Sequence, residues 1–338
     1  MTATLPETGE QKQDPTSGRG RKKKAPSTRS AGERWSRRLP LLPALVFTII
    51  VTQIPFLITI AVSLLNWNIQ RPGEKSFIGL GDYQTFAGLS NFGTVFTDER
   101  LRTAVLNTIL LTASVVVISL LLGLALAVLL DRKFPGRGLA RTLLIAPFLI
   151  MPVASALLWK HALYNPDYGL FNGALNWVWQ LFGADEGPVI AWTQSMPMPA
   201  VIAALVWQWT PFMMLILLAG LQSQPGDVLE AAQIDRATPV QTFRYITLPH
   251  LRRYIELATL LGSVYVVQTF DAIFTITQGG PGSATTNLPY EIYLTMFRKF
   301  EYGEAAAAGV VVVVGTILVA TFALRTISSL FDEEAMAR

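Results

Sequence analysis

The sequence predicts an all-α integral membrane protein with six transmembrane helices, on three observations. Hydrophobic residues make up 51% of the 338-residue chain against 15% charged, and mean hydropathy is +0.41, too apolar for an ordinary soluble domain. The apolar residues fall in six long blocks, 39–65, 104–130, 139–163, 200–222, 255–277 and 305–327. A hydrocarbon core of about 30 Å takes roughly 20 helical residues at about 1.5 Å each, so every block is long enough to cross. Lysine and arginine, finally, alternate between rich and poor loops.

Residues 1–38 are rich in Thr, Gly, Ser, Pro, Lys and Arg with almost no large apolar side chain. Such a segment cannot offset its ordering entropy by burial, and is expected to be a disordered basic tail. Its 19–38 tract, with Arg21, Lys22, Lys23, Lys24, Arg34, Arg37 and Arg38, suits either nucleic acid or, beside an apolar block, a topology signal; the second reading is adopted, with no nucleic-acid partner. Block 39–65 exceeds the roughly 7–15 residue core of a cleaved signal peptide, so it is expected to stay as the first span. An outer loop, 66–103, follows.

The core, 104–327, holds the other five spans. Pro147, Pro152 and Pro211 lie in the third and fourth, where proline kinks or breaks a helix unless neighbours satisfy the freed carbonyls. The 131–141 loop carries Arg132, Lys133, Arg137 and Arg141, and the 222–254 loop Arg236, Arg244, Arg252 and Arg253, whereas 164–199 has neither Lys nor Arg. By the positive-inside rule the basic loops and both termini, including the 328–338 tail, are cytoplasmic. Arg298 and Lys299 run against the rule beside Glu291, Glu301 and Glu304. Trp67, Tyr83, Tyr164, Trp177, Trp179 and Trp192 suit the membrane interface or partner docking.

Cysteine is absent and there are only two histidines, His161 and His250, which excludes disulfides and thiol chemistry and leaves little for a metal site. Gly18–Lys24 lacks the spacing of a phosphate-binding loop, and no G-x-x-x-x-G-K-[ST] occurs. Energy for any transport must then come from another chain or from an ion gradient. The second source would make this an ion-coupled secondary transporter of a small polar solute, but the chain has no evident internal repeat and one carboxylate, Asp271, well inside a span.

The polar stretch 230–249, EAAQIDRATPVQTFRYITLP, interrupts the apolar blocks. After the breaker cluster 222–226, Asp227 is positioned to cap a short helix, with negative charge at its start. Thr238 and Pro239 start a second helix over 240–246, ended by Leu248 and Pro249. The EAA triplet, Asp235, Ala237, Phe243 and the ITLP of 246–249 resemble the cytoplasmic loop of type I ABC importer permeases, in the carbohydrate-uptake branch that includes the maltose permeases. A second block, TQGGPGSATTNLPYEIYLTMF over 277–297, with Tyr302, Gly303 and an alanine-rich last span, is similar to the end of that branch's larger permease. Asn107-Thr108 and Pro211 in WQWTPFMM fit as well. The stretch 129–152 looks closest to polyol permeases.

The resemblance, covering about 39–327, implies a type I ABC importer permease fold in the inner membrane of a bacterium, carrying a sugar or sugar alcohol by alternating access. It implies a second permease subunit, two cytoplasmic ATPase subunits that bind the ATP and Mg, and an extracytoplasmic solute-binding protein; this chain would hold no cofactor or metal and would not be an enzyme. It also implies that Glu230, Ala231, Ala232, Asp235, Arg236 and Ala237 form a coupling helix seated on the ATPase, within a 223–254 coupling loop; an interfacial helix that only caps the bundle is the plainer reading. The family places glycine where this chain has Arg236, so an altered turn or a salt bridge to the partner is expected there. Polar and aromatic residues at membrane depth, Ser155, Trp159, Gln208, Trp209, Phe212, Tyr265, Gln268, Thr269 and Asp271, are candidates for the substrate pathway, with interhelical bonding as the alternative. Tyr265, Gln268 and Thr269 are expected to share one helical face, and Asp271 to pair with Lys160 or with a partner subunit.

Overall fold

The computed structural model describes residues 42–77, 91–92, 98–183 and 185–336; the basic tail and Tyr83 lie outside them. The chain divides into two units, Met1–Pro55 and Phe56–Arg338. The described part of the first is apolar helix, which continues as α1, Leu42–Ser63. In the second, α2 covers Glu99–Asp131, where Asp98 caps by accepting from the Arg100 amide at 2.7 Å. Then follow α3, Arg137–Leu149, and α4, Pro152–Leu163. The series continues with α5, Leu170–Leu181, α6, Pro197–Gln222, α7, Gly226–Ile234, and α8, Pro239–Thr242. Last come α9, Leu248–Val267, α10, Leu288–Phe297, and α11, Tyr302–Met336.

Among the described residues α1, α2 and α6 are long and apolar enough to cross a membrane. The predicted third span is two helices, α3 and α4, bent by 96°. Pro152 starts α4 after Ile150 and Met151 leave helical geometry, which is where a proline without an N–H is tolerated. The predicted fifth span is also interrupted: α9 ends at Val267 and helical turns resume at Ile273–Thr277. The freed Thr269 carbonyl accepts from Asn287 Nδ2, so the break is satisfied inside the protein, as membrane depth requires.

Helix α6 is central and packs on α2, α9 and α3. One core cluster lies along it with Val115, Val201, Leu205 and Met213, and a second, nearer the 223–254 segment, with Leu130, Met214, Leu217 and Leu251. Helices α2 and α6 meet at Gly123, where an added Cβ would lie 2.9 Å from the Met213 Cβ and the Met214 amide nitrogen; small residues permit such approach between membrane helices. Of the predicted interfacial aromatics, Tyr164 is buried and donates to the Ala200 carbonyl at 2.8 Å. Trp192 packs on Tyr164 and Phe171 and donates to Asn172. Trp177 and Trp179 stay exposed, and Trp67 packs on Tyr302 beneath the Lys75 ammonium. Lys299 pairs at 3.1 Å with buried Glu291, which accounts for one of the two charges that ran against the loop pattern.

Candidate functional site

The 223–254 segment is built from local hydrogen bonds. Helix α7 begins after Pro225, so Asp227 falls inside its first turn and not at the cap; there it still meets the positive end of the helix dipole. Glu230, Ala231, Asp235 and Arg236 are exposed, Ala237 is half-buried, and Ala232, 5% exposed, turns inward. Ile234, 81% exposed, leaves an aliphatic side chain in the open at the end of α7.

Arg236 itself takes the left-handed conformation, φ 57°. Its amide donates to Gln233 O at 3.1 Å and that of Ala237 to Ala232 O at 2.9 Å, the paired bonds of a Schellman helix stop. The turn is therefore the one glycine favours, and the expected altered turn does not occur. Arginine holds that conformation at a cost of about 1 kcal/mol relative to glycine.

Thr238 then closes a capping box: it accepts from the Gln241 amide at 3.3 Å, and its own amide donates to Gln241 Oε1 at 2.8 Å. Leu248 and Pro249 do not end this second helix. A π-helical turn, Phe243–Thr247, carries it from α8 straight into α9. Proline lacks the N–H for an i−4 bond, and the wider turn absorbs that loss. On the other side Ser223 at the end of α6 bonds Tyr254 at 2.7 Å and His250 at 3.2 Å, both on α9. Both ends of the segment are thus fastened to long helices.

The membrane-depth candidates separate. Trp209 and Phe212 of α6, Tyr265 of α9 and Phe148 of α3 come together: Trp209 and Tyr265 stack with ring centres 5.5 Å apart, Phe148 and Phe212 at 5.3 Å, and Phe148 meets Trp209 at 5.8 Å. Phe148, beside Pro147 at the α3 break, was not singled out in sequence; its place between two prolines was the available signal. Tyr265 is 52% exposed, so the cluster presents an aromatic face. Gln208 is buried, its Nε2 3.5 Å from the Ile150 carbonyl at the same break.

Ser155 is buried elsewhere on α4, and Trp159 belongs to a separate cluster with Tyr164, Phe171 and Trp207. Gln268 follows the last residue of α9 and donates to Val264 O, while Thr269 lies past the helix end. The expected common face with Tyr265 is therefore lost. Lys160 donates to the Thr275 carbonyl at 2.8 Å, and among the described residues no ion pair joins it to Asp271.

An exposed helix mounted on two long helices, with an aromatic cluster at a broken span, is the arrangement of a multi-helix membrane component with one exposed docking helix. Residues 119–332 match the family described as binding-protein-dependent transport system inner membrane component, and the chain belongs to that family, the non-catalytic transmembrane permeases of ABC importers, whose ATPase is a separate subunit. A probable ABC transporter permease, y4oQ, of Sinorhizobium fredii is 37% identical over 273 residues, 81% of this chain and 84% of that one. The trehalose/maltose transport system permease MalF of Thermococcus litoralis is 32% identical over 292 residues, 85% of this chain and 90% of that one. A solved bacterial ABC transporter involved in import of the acidic polysaccharide alginate has the same fold, with a TM-score of 0.69 at 22% identity over 88% of this chain and 96% of that one.

Proposed function

We propose that the chain is the permease subunit of an ATP-driven, binding-protein-dependent importer that passes a sugar or sugar alcohol across the cytoplasmic membrane of a bacterium by alternating access. It crosses six times with both termini inside, pairs with a second permease, and works with two cytoplasmic ATPase subunits, which bind ATP and Mg, and an extracytoplasmic solute-binding protein. Family membership supports the importer assignment, and the trehalose/maltose relative supports the substrate class.

The observation that carries the coupling role is mechanical. Helix α7 is exposed, stopped rigidly at Arg236, and joined through the capping box and π-turn to α9 and through Ser223 to α6. A push on α7 from an ATPase cleft therefore moves two long helices as bodies, the kind of displacement that switches packed bundles between two arrangements. Glu230, Ala231, Ala232, Asp235, Arg236 and Ala237 are the contact or its support. In transport assays Glu230→Lys, and Ala231→Trp separately, are expected to leave expression and assembly intact and ATP hydrolysis running, while uptake falls at least about tenfold, a loss near 1.4 kcal/mol of coupling. Wild-type uptake by both variants at wild-type expression would remove the role.

The face made by Phe148, Trp209, Phe212 and Tyr265 is assigned to the sugar ring, since apolar ring faces stack on aromatics while hydroxyls need a few placed polar groups. Gln208, buried at the same break, is assigned as one such group; Ser155, Trp159, Gln268, Thr269 and Asp271 are given supporting places farther along the path.

A further inference from the structure

We propose that the groove between α2, α3 and α6 is a binding site for an anionic phospholipid of the cytoplasmic leaflet. The groove has a volume of about 750 Å³, and its apolar walls include Ser114 and Leu126 of α2, Leu144 and Pro147 of α3, and Ala203 and Pro211 of α6. The twelve residue steps from Ser114 to Leu126 span roughly 18 Å, close to the hydrocarbon depth of one leaflet, about half of 30 Å. Leu126 stops five residues before the end of α2, roughly 7 Å, which is about the thickness of one head-group region. The groove therefore begins where an acyl chain begins.

Charge at that end selects the head group. The turn joining α2 to α3, with the first turns of α3, carries Arg132, Lys133, Arg137 and Arg141 against the single carboxylate of Asp131. Arg137 lies seven residues before Leu144, on the same face of α3 that lines the groove. Among the described residues neither Arg137 nor Arg141 forms an ion pair. A phosphodiester followed by a hydrocarbon chain matches this order of features; a sugar does not, because the walls offer it little beyond the hydroxyl of Ser114 and the ring of Trp207. None of Phe148, Trp209, Phe212 and Tyr265 lines the groove, and Phe212 points away from Ala203 on α6 by helical register.

The leaflet assignment rests on the proposed orientation, so the test separates the two. The full importer complex is purified from membranes, reconstituted in a mixture of zwitterionic and anionic phospholipid, exchanged into detergent, and its retained lipid identified by mass spectrometry. Wild type is expected to retain the anionic lipid selectively. Arg137→Gln with Arg141→Gln, which leaves Arg132 and Lys133 to hold the topology, is expected to weaken retention about thirtyfold, near fivefold for each basic side chain. Ala203→Phe fills the groove and is expected to remove retention with the arginines intact. Equal retention by wild type and both variants overturns the site, as does crosslinking from Ala203→Cys to a helix of the second permease in place of lipid. Lys133→Cys is expected to react with an impermeant thiol reagent only from the cytoplasmic side; reaction from outside overturns the leaflet assignment, whatever the retention shows.

Discussion

The loop that carries α7 and the loop that follows Thr277 both interrupt apolar helices, and both use left-handed backbone, at Arg236 in one and at Gln278, Gly279 and Gly282 in the other. Their anchoring differs. Around α7 nearly every bond is local, as in Arg236 to Gln233, Ala237 to Ala232 and Thr238 with Gln241, and Ile234 and Val240 stand 81% and 75% exposed. After Thr277 the loop is held from far away: Asn107 Nδ2 donates to the carbonyls of Ser283 and Thr286, each at 3.0 Å, and the Leu288 amide donates to Thr108 Oγ1 at 2.8 Å. Thr285 and Asn287 are 0% and 1% exposed. A loop bonded to itself keeps its shape while its supports move; a loop bonded to α2 keeps the supports fixed. The first suits a moving handle, the second a brace.

The comparison breaks most easily at Asn287. Its side chain bonds the Thr269 carbonyl and caps α10 through the Tyr290 amide at 3.2 Å, so Asn287→Ala strands a half-buried acceptor and a buried donor. At about 1–3 kcal/mol for each unsatisfied group, the purified protein is expected to lose roughly 3 kcal/mol, read as a lower thermal midpoint. A midpoint unchanged from wild type would mean that the brace is not bearing load.

Thr238→Ala probes the other loop, where loss of a cap costs about 1 kcal/mol. The loss is expected to stay local, with faster amide exchange over 238–242 and little change in α10; global destabilisation matching that of Asn287→Ala would erase the contrast. The smallest effect is expected at Arg236. Arg236→Gly relieves the left-handed side chain and is expected to stabilise the turn by up to about 1 kcal/mol. Uptake that persists in Arg236→Gly means that the arginine serves only the turn, whereas loss of uptake with a more stable turn assigns its charge to the ATPase surface.

The sequence revealed most where the structure is local. Block length located α2 and α6, and the Thr238-Pro239 start of α8 followed from capping chemistry alone; proline placement marked 147, 152 and 211 alike, and did not single out the break before Pro152. The left-handed Arg236 was not legible, because position-specific backbone strain shows only when the bonds at Ala232 and Gln233 are known. The continuation through Pro249 was misread for a related reason: a π-turn has no signature in residue type. At membrane depth the sequence named Trp209, Phe212 and Tyr265 but scattered them among residues that do not meet. Which aromatics converge depends on how α3, α6 and α9 cross, and the interruption after Val267 depends on Asn287, eighteen residues away from Thr269.

The 96° bend between α3 and α4 also bears on how the protein is made. Helix α3 has 13 residues and reaches roughly 20 Å, and α4 is no longer, so neither half crosses a core of about 30 Å. As the nascent chain leaves the ribosome, α2 is long enough to cross lipid by itself, whereas neither half of this pair is. The place of the pair in the bilayer is then expected to be set by packing on α6, whose face against α3 is synthesised later. A chain truncated before α6 should then leave the pair open to protease, which makes the middle of this polypeptide, more than either end, the step at which biogenesis can fail.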